Sequence, residues 1–143
     1  MKVADALAGC QLLEQELRLY IAAAHSAIRR NLPAHLPYRV PDKDCAGDSL
    51  GQLISKFEKL SNDDELIAAL KAFNKKRNKL AHRAIASCIN PDGDLDTPPA
   101  GFIPDGMDMD EWLSEIRVDA NTLQNKVLSS GVALEFDPIQ STG

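Results

Sequence analysis

The segment Lys76-Arg77-Asn78-Lys79-Leu80-Ala81-His82-Arg83 brings together side chains that suit acid–base and anion chemistry. A histidine, with an unperturbed pKa of about 6.5, gives or takes a proton near neutral pH. An arginine offers a planar fork of donors that matches a phosphate or a developing oxyanion. From Lys71 to Arg83 there are six basic residues, Lys71, Lys75, Lys76, Arg77, Lys79 and Arg83, and no acid. The chain as a whole carries a net charge of −5, so a +6 segment sits in a −11 remainder. An acidic body with one basic stripe repels a polyanion everywhere except along the stripe.

These residues need a helix to position them, and the apolar spacing supplies one from about 63 to 89. Ser61-Asn62-Asp63-Asp64-Glu65 places capping residues and acids at its positive end. At 100° per residue, Leu66, Leu70, Phe73, Ala84 and Cys88 form an apolar seam within about 40° of Arg77. Arg77 therefore stands where the pattern calls for a leucine. Lys71, Asn78, Lys75, His82 and Lys79 form a polar stripe beside that seam, with Asn78 and His82 four positions apart and so neighbours. Arg77 lies about 140° from His82, so the two meet only if the arginine stem bends across the helix face.

Three more helices are expected. Val3, Leu7, Cys10, Leu13, Leu17, Ile21, Ala24 and Ile28 mark a long one over about 3–31, stopped by Pro33, Pro37 and Pro41. Leu50, Leu53, Ile54, Phe57 and Leu60 mark a short one over about 49–60, with Asp48 or Ser49 as its cap. Met109, Trp112, Ile116, Ala120, Leu123 and Val127 mark a last helix that Gly131 is expected to close. Residues 90–107, with Pro91, Gly93, Pro98, Pro99, Gly101, Pro104 and Gly106, read as a long irregular loop. The expected architecture is an all-α antiparallel four-helix bundle with a long loop before the last helix: one domain over 1–130, and a C-terminal extension or tail over 131–143.

Composition agrees with that class and narrows the function. The chain has 143 residues, enough for one domain, with 44% hydrophobic and 26% charged residues, close to the globular average. Aromatics are only 5%, which suits aliphatic helix seams better than a β-sandwich. Cys10, Cys45 and Cys88 contain no CxxC pair and fit a reducing compartment. Leu7-Ala8-Gly9-Cys10 looks like a lipoprotein cleavage box, but only six residues precede Leu7, one of them Asp5, too few for the apolar stretch of about 7–15 that a signal needs. No run approaches the ~20 apolar residues of a membrane span, and a cytoplasmic protein with no membrane partner is expected. His25 and His35 lack ligands at metal spacing, and Asp92, Asp94 and Asp96 lack the Glu of an EF-hand, with Ile103 in its place. There is no Gly-rich phosphate loop and no G-x-S-x-G elbow, so no cofactor and no metal are expected.

Arg77-Asn78-(three residues)-His82 resembles the R-x4-6-H signature of HEPN domains, at the short end of its spacing. The resemblance covers the motif closely and the rest of the chain as helix order and size. HEPN domains are small α-helical bundles found in prokaryotic toxins, phage-defence proteins and CRISPR ribonucleases. The resemblance implies a metal-independent endoribonuclease acting as a homodimer, with two motifs facing across the interface. It implies His82 as general acid or base in attack by a ribose 2′-hydroxyl on the adjacent phosphate, Arg77 as the clamp on that phosphate, and Asn78 orienting the imidazole or binding the sugar-phosphate. Lys71, Lys75 and Lys79 would then attract the RNA backbone, and a separate antitoxin or regulator protein would be a partner.

Two other readings stand beside it. One is a catalytically silent HEPN-fold module that binds RNA or protein, since a fold does not imply activity. The other is a helical-bundle interaction protein in which the motif is coincidence. Read without function, the basic stripe is a solvated face or pairs with acids such as Asp108, Asp110, Glu111 and Glu115, and Arg77 forms an ion pair with Glu14 or Glu115.

Overall fold

The computed structural model describes residues 3–37, 45, 47–89 and 108–136. They form four helices, α1 (Val3–Asn31), α2 (Leu50–Glu58), α3 (Asp64–Ile89) and α4 (Met109–Phe136), with no strand among the described residues. The all-α helical bundle expected from the apolar spacing is the architecture found. The expected loop over 90–107 and residues 137–143 lie outside the described residues, as do the side chains of Ala84 and Cys88.

α2, α3 and α4 each begin where a short polar side chain takes an orphan N–H. The Ser49 hydroxyl accepts from the Gln52 N–H at 3.3 Å, and the Gln52 side chain accepts from the Ser49 N–H at 2.8 Å, a reciprocal capping box at the start of α2. Asp63 accepts from the Leu66 N–H at 3.0 Å, and Asp108 from the Glu111 N–H at 2.8 Å. Both caps also place an acid at the positive end of a helix dipole.

The core joins Leu13, Leu17 and Ile21 of α1, Leu53 and Phe57 of α2, Leu70, Phe73 and Leu80 of α3, and Trp112, Ile116, Ala120 and Val127 of α4. Tyr20 adds a tilted ring contact with Phe57 at 4.7 Å and donates its hydroxyl to the Leu60 carbonyl at 2.9 Å. No described helix is long and apolar enough to cross a membrane.

The bundle is mixed in direction. α3 runs against α4: the start of α3, at Leu66, shares a groove with Lys126 and Ser130, whereas Lys76 further along meets Glu115 and Asp119. α1 and α4 instead run the same way. Arg117 donates to the Asp5 carbonyl at 2.7 Å, Gly9 faces Ala120, and Tyr20 faces Gly131, so partners advance together along both helices. The cause is the connection after α1. Arg18 donates to the carbonyls of Cys45, at 3.0 Å, and Asp48, at 3.3 Å, so the chain has returned past thirteen helical residues, roughly 20 Å, before α2 begins. α2 then lies across α1, from beside Arg18 to beside Tyr20, leaving α3 alone to run back.

Gly131 does not close the last helix. α4 continues to Phe136, so Val132, Ala133 and Leu134 are helical, where the sequence suggests an extension or tail. Packing against α1 overrides the local stop signal: Gly131 sits beside Tyr20, and Leu134 packs against the core. A Cβ at 131 would meet Tyr20 Cδ2 at 3.8 Å, an ordinary contact. Gly131→Ala is therefore expected to raise stability by up to ~1 kcal/mol, the helix-propensity difference, read as a higher Tm in thermal unfolding. A left-handed helix cap at 131 would give the opposite sign.

Candidate functional site

α3 carries the sequence-predicted residues on two different faces. Arg77 lies on the core side between Phe73 and Leu80, and its guanidinium reaches Glu14 of α1, Nη2 to Oε1 at 3.5 Å. Glu14 is 12% exposed and Arg77 29%. Of the two acids weighed for Arg77, the structure chooses Glu14. Arg18 stands on the other oxygen of Glu14 at 3.9 Å, so one carboxylate faces two guanidinium groups. The Arg77 Nε is buried and has no hydrogen-bond partner.

Beneath this pair lies Cys10. Burial pushes its thiol from 9.0 up to about 11, with the Arg77 charge drawing it down and the Glu14 charge adding to the rise. Cys10 and Glu14 are one helical turn apart, as are Glu14 and Arg18. Sequence reasoning did not assign this α1 triad to Arg77, although a wheel of α1 places all three on the edge that faces α3.

The basic stripe divides in the same way. Lys76 joins Glu115 at 2.8 Å and Asp119 at 3.1 Å, and the hydrogen bond to Glu115 leads the causes that hold its ammonium above the usual lysine value. Lys71 meets Glu58 at 3.0 Å, both about half exposed, which makes it a weak surface pair. Lys75, Asn78, Lys79 and His82 are exposed, and none has a hydrogen bond or ion pair with another described residue. Arg77 and His82 are not joined by a hydrogen bond either. Within one chain, α3 thus offers an imidazole, an amide and two ammonium groups to solvent, with a guanidinium held at their inner edge.

The remaining candidates stay apart from this face. His25 is half-buried on α1, His35 is exposed in the segment after it, and Trp112 is core at 2% exposed, as its periodic position implied. Among the described residues no three His, Cys, Asp or Glu side chains come together as a metal set. No protein-family model, curated protein or solved structure matches the chain. Fold and site together define a small helical bundle with a basic, histidine-bearing helix face.

Three measurements check this geometry. Glu14→Gln leaves two guanidinium groups without their carboxylate and is expected to cost about 1–3 kcal/mol in urea unfolding, whereas Arg77→Met is expected to cost less, because Arg18 still faces Glu14 at 3.9 Å and the apolar chain suits a leucine-like position. For Cys10 the folded pKa is raised, so burying the thiol stabilises below pH 9 and that contribution is lost as pH rises toward 11. The stability gap between wild type and Cys10→Ala should shrink over that window. Native alkylation followed by peptide mass spectrometry should label half-exposed Cys45 ahead of Cys10.

Proposed function

We propose that this chain is a metal-independent endoribonuclease of the HEPN type, working in the cytoplasm as a homodimer in a toxin–antitoxin or phage-defence setting. The observation that supports it most is the placing, on the outer face of α3, of an exposed His82, without a partner among the described residues, with Asn78 one turn before it and with Arg77 beside Asn78 at the inner edge. Lys75 and Lys79 hold the RNA backbone, and Lys71 joins them by exchanging Glu58 for a phosphate. His82 serves as general base or acid, and Asn78 orients the imidazole or binds the sugar-phosphate. The ribose 2′-oxygen attacks the adjacent phosphorus as its proton leaves to the base, and the bond to the 5′-oxygen breaks as that oxygen takes a proton. The products are a 2′,3′-cyclic phosphate and a 5′-hydroxyl.

Arg77 supplies charge to the phosphate as its equatorial oxygens become more negative. Glu14 holds the guanidinium at Nη2, and with Nε buried the donors left for the substrate are those of the terminal nitrogens. Because Arg77 and His82 diverge by about 140° on one helix, the reading needs two α3 faces across a twofold axis, so that the arginine of one motif and the histidine of the other address the same phosphate.

A second reading has its own support in the Arg77–Glu14 pair. An arginine already facing a carboxylate is partly neutralised, and a bundle that uses it only to join α1 to α3 would be a silent HEPN-fold module that binds RNA or protein. Incubation of purified protein with RNA in EDTA separates the two. Cleavage in EDTA that falls by at least ~100-fold in both His82→Ala and Arg77→Met, with Arg77→Met still folded, is the expected outcome. RNA binding that fades with salt but gives no cleavage selects the silent module. Cleavage undiminished in both variants overturns the assigned roles, and cleavage abolished by EDTA overturns the metal-free mechanism.

A further inference from the structure

α3 packs on one side of the α1–α4 pair, through Glu14 on α1 and Glu115 and Asp119 on α4. The other side of that pair is unlike the rest of the surface. Along α1 from Ala8 to Ser26 the exposed residues are Ala8, Gln11, Leu12, Gln15, Leu19, Ala22 and Ser26, none of them charged, in a chain that is 26% charged. Four large aliphatic side chains lie open to solvent on this side: Leu12 (48% exposed) and Leu19 (55%) on α1, Leu128 (48%) and Val132 (43%) on α4. Between the two helices runs a groove of about 240 Å³ lined by Leu19, Tyr20, Leu128 and Val132 among others. Charge depletion around exposed aliphatic groups is the mark of an interface core, not of a solvated face.

The groove also contains Glu16. The residue as a whole is only 9% exposed, lines the groove, and has no hydrogen bond or ion pair with any described residue, so its carboxylate has water alone as a partner. It lies about 160° around α1 from Glu14, on the side away from Arg77. An occupant that covers the groove strips the water from that carboxylate, which costs free energy unless the occupant brings a donor to it. None of the residues lining the groove is a cation, and Arg117, on the same edge of α4, packs against Gly9 nearly two turns earlier and donates to Asp5.

We infer that the α1–α4 groove is a docking site for an amphipathic helix of a partner protein, one whose apolar stripe contains a single lysine or arginine that pairs with Glu16. The aliphatic groups of the groove take the stripe as helix-in-groove complexes do, as anchors spaced three, four and seven residues apart. The cation decides the occupant. A second copy of this chain would bring the same uncharged α1 face and a second Glu16, leaving both carboxylates without a donor. The site is on the opposite side of the molecule from His82 and does not depend on the α3 reading.

The test uses two synthetic helical peptides that are leucine-rich on one face and neutral elsewhere, one with a single lysine in the middle of that face and one with leucine there. Isothermal titration against the full chain is expected to give at least tenfold tighter binding for the lysine peptide. Glu16→Gln should erase that preference while keeping the binding of the leucine peptide. Leu128→Asp should weaken both peptides by at least tenfold with an unchanged helical circular dichroism spectrum, and Glu65→Gln, on α3, should change neither. Absence of binding to wild type, or a lysine preference that survives Glu16→Gln, overturns the proposal. So does sedimentation showing that the free chain dimerises and that Leu128→Asp alone makes it monomeric, because the occupant would then be a second copy.

Discussion

The close, co-directional packing of α1 on α4 is the constraint on which the rest of the molecule depends. At Gly9 a Cβ would stand 3.5 Å from Ala120 Cβ, an ordinary contact, and 3.0 Å from Arg117 Cδ, whose flexible side chain would have to shift, so the two helices pass close together there. From that point the pair continues through Tyr20 beside Gly131 to Leu134 against the core. Two long helices side by side bury one face of each against α2 and α3 and leave an outer face on each. The buried side holds the ion pair that carries Arg77, and the outer side holds Glu16. Both charged features follow from one packing decision.

Much of this was legible in the residues because burial follows period. The seam Cys10, Leu13, Leu17, Ile21 and Ala24, the short stripe Leu50 to Phe57 and the stripe Trp112 to Val127 are all core, and the capping residues Ser49, Asp63 and Asp108 sit at the helix starts. Ile28, at the end of the α1 stripe, is 37% exposed, because α1 runs past the elements that cover it. Helix direction was not legible. A hydrophobic stripe gives the face a helix buries and says nothing about the sense in which its neighbour runs. A long connection removes the short-loop argument for antiparallel neighbours. Gly131 misled for a related reason: its local propensity to stop a helix is worth about 1 kcal/mol, less than the contacts α4 gains by continuing.

The candidate site divides along the same line. That Arg77 sits on an apolar seam could be read from its angle, and so could its need for a carboxylate. That the carboxylate is Glu14 rather than Glu115 depends on where α1 lies, and Glu115 is taken by Lys76, whose side chain leaves α3 toward α4. Glu16 carried no signal of its own. It sits two residues from Glu14 in a helix with other polar positions, and only the course of α4 turns it from a surface acid into one that is nine-tenths buried.

The charge arithmetic also changes once the partners are known. Of the six basic residues in the +6 segment, Lys71, Lys76 and Arg77 face acids, and the Arg83 side chain is outside the described set. Among the described side chains of α3, Lys75 and Lys79 are the cations left open. On the proposed reading, two or three such charges per protomer would release few counterions, at a slope of about −0.7 per phosphate for a single strand, so these lysines would not hold RNA firmly by electrostatics alone. An α3 face with so little charge gains useful affinity only if a second copy doubles it, or if Lys71 gives up its weak, half-exposed pair with Glu58 for a phosphate. On the proposed reading, the acidic remainder works as a filter: it would keep a polyanion off the body and leave the histidine-bearing face as the place where one can settle.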